Sequence, residues 1–146
     1  MKKRVGIIIL VLLLLILAGG GAAFYYYYSK YINIDAIYPG MTIQGMSVGG
    51  MTREEAKAKV QEYVDKVSQE TVTLQVKKKE STFALSDIGL KCTNMDVVEK
   101  AYDFGKTGNV FKRVIEVRKL EKEGMDFPLT FSVDKAETRK IVKKKA

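Results

Sequence analysis

The chain has 146 residues, with 25 Lys and Arg, 17 Asp and Glu, no His, one Cys, two Pro and no Trp. Without His there is no Ser-His-Asp triad, no Cys-His pair and no His-ligated zinc site, and a single Cys permits neither an intrachain disulfide nor a Cys-x-x-Cys metal or redox motif. The net charge of +8 sits at the two ends: Lys2, Lys3 and Arg4 supply three charges, Arg139, Lys140, Lys143, Lys144 and Lys145 supply five, and residues 30–138 hold 17 basic and 17 acidic side chains. A nucleic-acid binder carries its cations as a patch on the folded body, so nucleic acid is not an expected partner.

Residues 1–4 form a basic start, and Val5–Tyr28 is a run of 24 residues without a charge. As a helix this run spans about 36 Å, against a hydrocarbon core of about 30 Å. Its centre, VGIIILVLLLLILAGGGAA, holds twelve Val, Ile or Leu, and at roughly −0.5 kcal/mol each they favour insertion by about −6 kcal/mol. Lys2–Arg4 precede it, which predicts a cytoplasmic N-terminus and an extracellular remainder, and Phe24–Tyr28, FYYYY, suits the outer headgroup layer. The small residues Gly21-Ala22-Ala23 also suit a cleaved signal peptide. The length of the run and its tyrosine belt favour an uncleaved signal-anchor over residues 5–28, held in the cytoplasmic membrane, and both readings export the rest. A lone Cys, far from the end of the apolar run, suits an exported protein with neither disulfides nor a lipidated cysteine.

Residues 29–36, SKYINIDA, read as a linker into one extracellular domain over residues 37–146. Pro39-Gly40 marks a turn, Met41-Thr42-Ile43 a short strand, and Gly45, Gly49 and Gly50 punctuate the stretch up to Thr52. Thr52 and Glu55 make a capping box for a helix over 53–69, whose apolar stripe is Ala56, Val60, Tyr63, Val64 and Val67. Thr71–Lys77 alternates as a half-buried strand, Lys77–Glu80 is a polar turn, and a second strand carries Phe83 and Leu85 inward. A helix is expected to start near Thr93 or Asn94 and to end at Gly105. Asn109 caps the next, with Val110, Val114, Val117 and the neighbouring Phe111 and Ile115 inward. A third strand runs from after Met125 through Phe127, Leu129, Phe131 and Val133, with Pro128 turned from the ladder. Asp134 and Glu137 open a last helix that reaches Ala146 without a C-cap, as in a chain continuing into a longer parent protein. The fold class is α+β: a transmembrane helix followed by a small mixed helix/strand domain.

Few motifs carry chemistry. FGKTGN at 104–109 contains Gly-Lys-Thr, but a phosphate loop needs Gly where Lys100 stands and a strand where a helix precedes. Asp87, Asp96 and Asp103 have no spacing that places two carboxylates across a groove. Cys92 has no His to activate it and reads as a small buried residue. The C-terminal RKIVKKK reads as a solvated helix face. No catalytic residue, metal site or cofactor is expected.

The stretch IYPGMTIQGMSVGGMTREEA, with Gly40, Gly45, Gly49, Gly50, Thr52, Glu54, Glu55 and Ala56, resembles the entry segment of the YoaR-like peptidoglycan-binding domains. Those domains lie N-terminal to YkuD-type L,D-transpeptidase and VanW-type domains in Gram-positive bacteria. Thr73-Leu74, Ser86–Leu90 and the Ala101-Tyr102, Gly105, Gly108-Asn109, Arg113 series resemble later parts of the same family, so that the likeness covers most of residues 37–137. The transpeptidase domain of the larger members, with its His and Cys signature, is absent from this chain. The resemblance implies a non-catalytic module that binds or positions against peptidoglycan. The alternative is a stalk or protein-interaction module of a longer cell-wall enzyme such as an L,D-transpeptidase. Tyr102, Lys106, Asn109 and Arg113 form the candidate polar-aromatic cluster for a glycan-peptide ligand.

Overall fold

The computed structural model describes residues 2–76 and 79–145. Helix α1, Lys2–Tyr31, is long and apolar enough over Arg4–Tyr31 to cross a membrane. Its apolar side chains from Val5 to Leu17 lie exposed. The helix does not stop where the uncharged run stops. It continues through Ser29 and Lys30 into residues read as a linker, and there the chain is packed: Tyr31 is buried and Ile32 and Ile34 rest against the core. Tyr38 locks this corner by donating its buried hydroxyl to the Tyr31 carbonyl at 2.7 Å. Residues 29–36 therefore join α1 to the domain through a fixed elbow.

The domain mixes helices and short strands. Strands β1 (Met41–Ile43) and β2 (Met46–Ser47) pair antiparallel, and β6 (Met125–Phe127) adds to β1 in parallel, with Met41 opposite Met125. Around this sheet lie α2 (Arg53–Gln69), α3 (Val97–Asp103) and α4 (Val110–Glu123). The capping box at Thr52 and Glu55 forms as read, with both reciprocal bonds made. Ala56, Val60 and Val64 of α2, Val98 and Ala101 of α3 and Val117 and Leu120 of α4 close the core over Met41 and Ile43. The hairpin β3 (Thr71–Val76) and β4 (Lys79–Ala84) stands to one side, with Phe83 buried; its tip, Lys77-Lys78, lies outside the described residues. A 3-10 turn over Leu85–Ile88 leads to β5 (Lys91–Cys92), which pairs with β7 (Phe131–Ser132), and α5 (Lys135–Lys145) packs on that turn.

Three expectations are corrected by packing. The third strand is two strands: Pro128 has no N–H for a ladder, and the chain crosses there from the β1 sheet to β5. Asn94 does not cap α3, which begins at Val97; its side chain bridges the crossing, donating to the Pro128 carbonyl at 2.9 Å and accepting from the Thr130 amide at 2.7 Å. Phe111 and Ile115 are not inward: they are 83% and 67% exposed, and Val110 is open as well. At about 100° per residue, Phe111 and Ile115 stand about 120° and 160° round α4 from Val117, which the core claims.

Asp126 ties the sheet at its turn. One of its oxygens accepts from the Thr42 hydroxyl at 2.6 Å and from the Gly45 amide at 2.9 Å. These bonds, Thr42 first, hold its carboxyl below the usual value of 3.8. A depressed folded pKa gives stability that is complete above the unfolded value and is lost as pH falls through the folded one. Asp126→Asn is therefore expected to lessen the loss of stability below about pH 4, read from urea midpoints across the acid range. An acid limb identical to that of the parent chain would contradict this role.

Candidate functional site

Three segments meet beside the end of α3. Helix α3 stops at Phe104, and Gly105 turns the chain in the left-handed region at φ 67°, where a Cβ would meet the Val117 side chain at 2.9 Å. That turn holds Tyr102 and Lys106 on the same side. The N-terminus of α2 brings Arg53, and the elbow after α1 brings Asp35.

Tyr102 is the centre of the group. Its hydroxyl donates to Asp35 Oδ1. The Arg53 guanidinium lies 4.4 Å from the ring centroid, and the Lys106 ammonium 3.2 Å from it. Two cations thus share one ring, an arrangement worth about 0.5–2 kcal/mol per contact depending on desolvation. Arg53 is also fixed by Glu99, Nε to Oε2 at 3.0 Å. The bond to Asp35 raises the Tyr102 pKa above 10, because an ionised phenol would lose that donor and repel the carboxylate. Burial lowers the pKa of Lys106, against the pull of Asp35 and Asp103. Among the described residues, Lys106 Nζ is a buried side-chain nitrogen that makes no hydrogen bond. A cation so placed has unspent donors and costs free energy until an acceptor arrives.

Next to the ring, Asp35, Thr52, Arg53, Glu54 and Tyr102 line a polar pocket of about 280 Å³. Its walls offer a cation, two carboxylates and an aromatic edge. That suits a small ligand with both amide and charged groups, near the lower limit of about 300 Å³ for small-molecule sites. A larger concavity, about 610 Å³, is lined entirely by one face of α2 from Ala58 to Gln69 and is a helix surface without a second wall.

Of the four candidate residues, the structure brings Tyr102 and Lys106 together and places the other two in the scaffold. Asn109 caps α4, its Oδ1 accepting from the Lys112 amide at 2.8 Å. Arg113 is a staple: Nε donates to the Gly105 carbonyl at 2.9 Å and a terminal nitrogen to the Ile32 carbonyl at 2.8 Å. It thereby holds both the turn that carries Lys106 and the elbow that carries Asp35. Asp35 and Arg53 were missed by sequence reasoning, one as part of a linker and the other as part of a capping box. Elsewhere, Asp87 accepts from the Ala84 amide and Asp96 pairs with Lys100 at 2.7 Å. Cys92 is half-buried, with its thiol toward Asn94. No group of three or more His, Cys, Asp or Glu that could hold a metal is found among the described residues.

Residues 81–146 match the family model described as "Putative peptidoglycan binding domain". No curated protein and no solved structure matches the chain. The matched segment begins inside β4 and contains Tyr102 and Lys106, whereas Asp35, Thr52, Arg53 and Glu54 precede it. Since β6 of the matched segment pairs with β1 outside it, the segment and the pocket are completed only by residues 31–64.

Proposed function

We propose that this chain is a single-pass membrane protein, N-terminus in the cytoplasm, that displays a non-catalytic peptidoglycan-binding module on the outer side. The observation that carries the reading is the match of residues 81–146 to a peptidoglycan-binding family. The apolar helix supports the anchor, and Lys2–Arg4 before it support its orientation. The pocket at Tyr102 is the proposed binding site, with Tyr102, Arg53 and Asp35 as its working residues and Lys106 held against the Tyr102 ring. Peptidoglycan stems end in amides, carboxylates and amines, the groups that this mixture of cations, carboxylates and an aromatic ring can recognise. The pocket's size fits the end of one stem peptide or a single sugar, with the remainder of the polymer on the surface.

The test is titration of the full chain, held in detergent, with soluble muropeptides, followed by NMR of labelled tyrosine rings. Binding is expected to shift the Tyr102 resonance first and to leave Tyr63, ten positions along α2 from Arg53, unmoved. Saturable binding with no change at Tyr102 would remove the pocket. No binding at all would favour a stalk or protein-interaction role in a larger cell-wall enzyme.

A further inference from the structure

The second face of α4 is apolar, exposed and next to α1. Phe111 is 83% exposed and Ile115 67%, and with Val114 they form one wall of a groove of about 270 Å³ whose other wall is Phe24, Tyr27 and Tyr28. In water such a wall is a cost, since removing apolar area from water is favourable and leaving it exposed forgoes that gain. Its position says what covers it. If α1 crosses a membrane from Val5, about 20 residues at 1.5 Å each use up a 30 Å hydrocarbon core near Phe24. Phe24–Tyr28 then lie in the headgroup layer, and Phe111 and Ile115, across the same groove, lie at that height too. The elbow is fixed by Tyr38 and Arg113, so the height is set by the fold.

Charge continues the pattern. Arg118 and Lys122 follow Phe111 at i+7 and i+11, which puts both within about 20° of it round the helix. Both are exposed, and neither makes an ion pair among the described residues, whereas Lys112 and Lys119 on other faces are paired with Glu116 and Glu123. One stripe of α4 is thus apolar in its first half and cationic in its second.

We propose that this stripe seats the domain on the outer leaflet, with Phe111 and Ile115 inserted at the headgroup–acyl boundary and Arg118 and Lys122 on anionic lipid headgroups. The inference rests on the reading of α1 as a membrane anchor. Interfacial helix faces of this kind bury their apolar side about 5–10 Å into the boundary and gain from anionic lipid. The chain has no Trp, so Phe111→Trp supplies a single reporter. The experiment places the full chain in vesicles of phosphatidylcholine and phosphatidylglycerol carrying bromine on the upper acyl chain, with Leu13→Trp and Val72→Trp as separate reference variants. Phe111→Trp is expected to emit at shorter wavelength and to lose roughly half of its emission to bromine, a depth effect of interfacial burial. Leu13→Trp should be quenched by bromine placed deep in the chain, and Val72→Trp by neither. Adding Arg118→Gln and Lys122→Gln should remove the dependence of Phe111→Trp quenching on phosphatidylglycerol.

An unquenched Phe111→Trp beside a quenched Leu13→Trp would overturn the seating and leave the anchor standing. An unquenched Leu13→Trp would overturn the anchor itself and the seating with it. A blue-shifted Phe111→Trp without bromine quenching would put the stripe against protein, a second copy of this chain included, and would overturn the lipid assignment. Persistence of the lipid dependence in the double Gln variant would overturn the role of the two cations.

Discussion

Replacing Arg113 by Met is expected to cost the outer domain about 2–4 kcal/mol, since two charge-assisted hydrogen bonds are lost and two partly buried carbonyls are left without donors. Arg113 reaches Gly105 and Ile32 at once, and these carbonyls belong to segments 73 positions apart in the chain. Few side chains can do this, because the fork of a guanidinium directs several N–H groups from one rigid plane. Arg113→Lys keeps the charge and is expected to recover only part of the loss. Against a total stability of about 5–15 kcal/mol the effect is large. The measurement is urea denaturation of the detergent-held chain followed by circular dichroism. Unchanged stability combined with weaker peptidoglycan binding would return Arg113 from the scaffold to the binding surface.

Tyr102→Ala is expected to weaken muropeptide binding by about 30-fold, equivalent to about 2 kcal/mol, as aromatic anchors at the centre of a site do. The substitution removes the aromatic edge from the pocket wall and also strips Arg53 and Lys106 of the ring they lie over. Tyr102→Phe separates the two effects. It keeps the ring and both cations but removes the hydroxyl that donates to Asp35. A small loss in Phe and a large one in Ala would mean that the ring does the binding. Equal losses would make the Asp35 bond, and hence the position of the elbow, the controlling feature. An affinity of the folded fraction unchanged in both variants would make Tyr102 a support for the fold alone. The comparison is made by titration calorimetry with each variant's folded fraction determined beforehand.

Local signals were legible in the sequence and long-range ones were not. The capping box at Thr52, the cap at Asn109 and the turn at Gly105 each involve residues within a few positions, and each forms as read. The helix over 53–69 carries its stripe at the helical period and is found at those bounds. Asn94 misled because a good capping residue is also a good bridge, and the chain it bridges lies 34 to 36 positions on. Phe127 to Val133 misled because alternation cannot reveal that Pro128 is a crossing between two sheets. Phe111 and Ile115 misled because apolar residues were assigned to the core by default; apolar character says that a side chain avoids water and leaves open what it goes to instead.

The candidate cluster around Tyr102 was half legible for the same reason. Tyr102 and Lys106 lie four positions apart around a glycine turn, and a polar-aromatic cluster could be read there. Their partners Asp35 and Arg53 come from 67 and 49 positions before Tyr102, and nothing local marks them. Asn109 and Arg113 carry the residue types of a binding surface, yet the Asn109 side-chain carbonyl and two nitrogens of Arg113 bond the backbone.

The central claim is that the domain holds peptidoglycan through the pocket at Tyr102 and not through the basic residues of its C-terminal helix. Co-sedimentation of the full chain in detergent with purified sacculi, stripped of teichoic acid, tests it most directly. Sacculi carry carboxylates, and the exposed basic face of α5 would attract them at low salt. The informative form therefore has Lys143, Lys144 and Lys145 changed to Gln and is measured at 1 M salt, where the screening length is about 3 Å. Under those conditions the neutralised chain is expected to remain in the pellet, and Tyr102→Ala in the same background to move to the supernatant. A neutralised chain that is folded and stays in the supernatant would contradict the account.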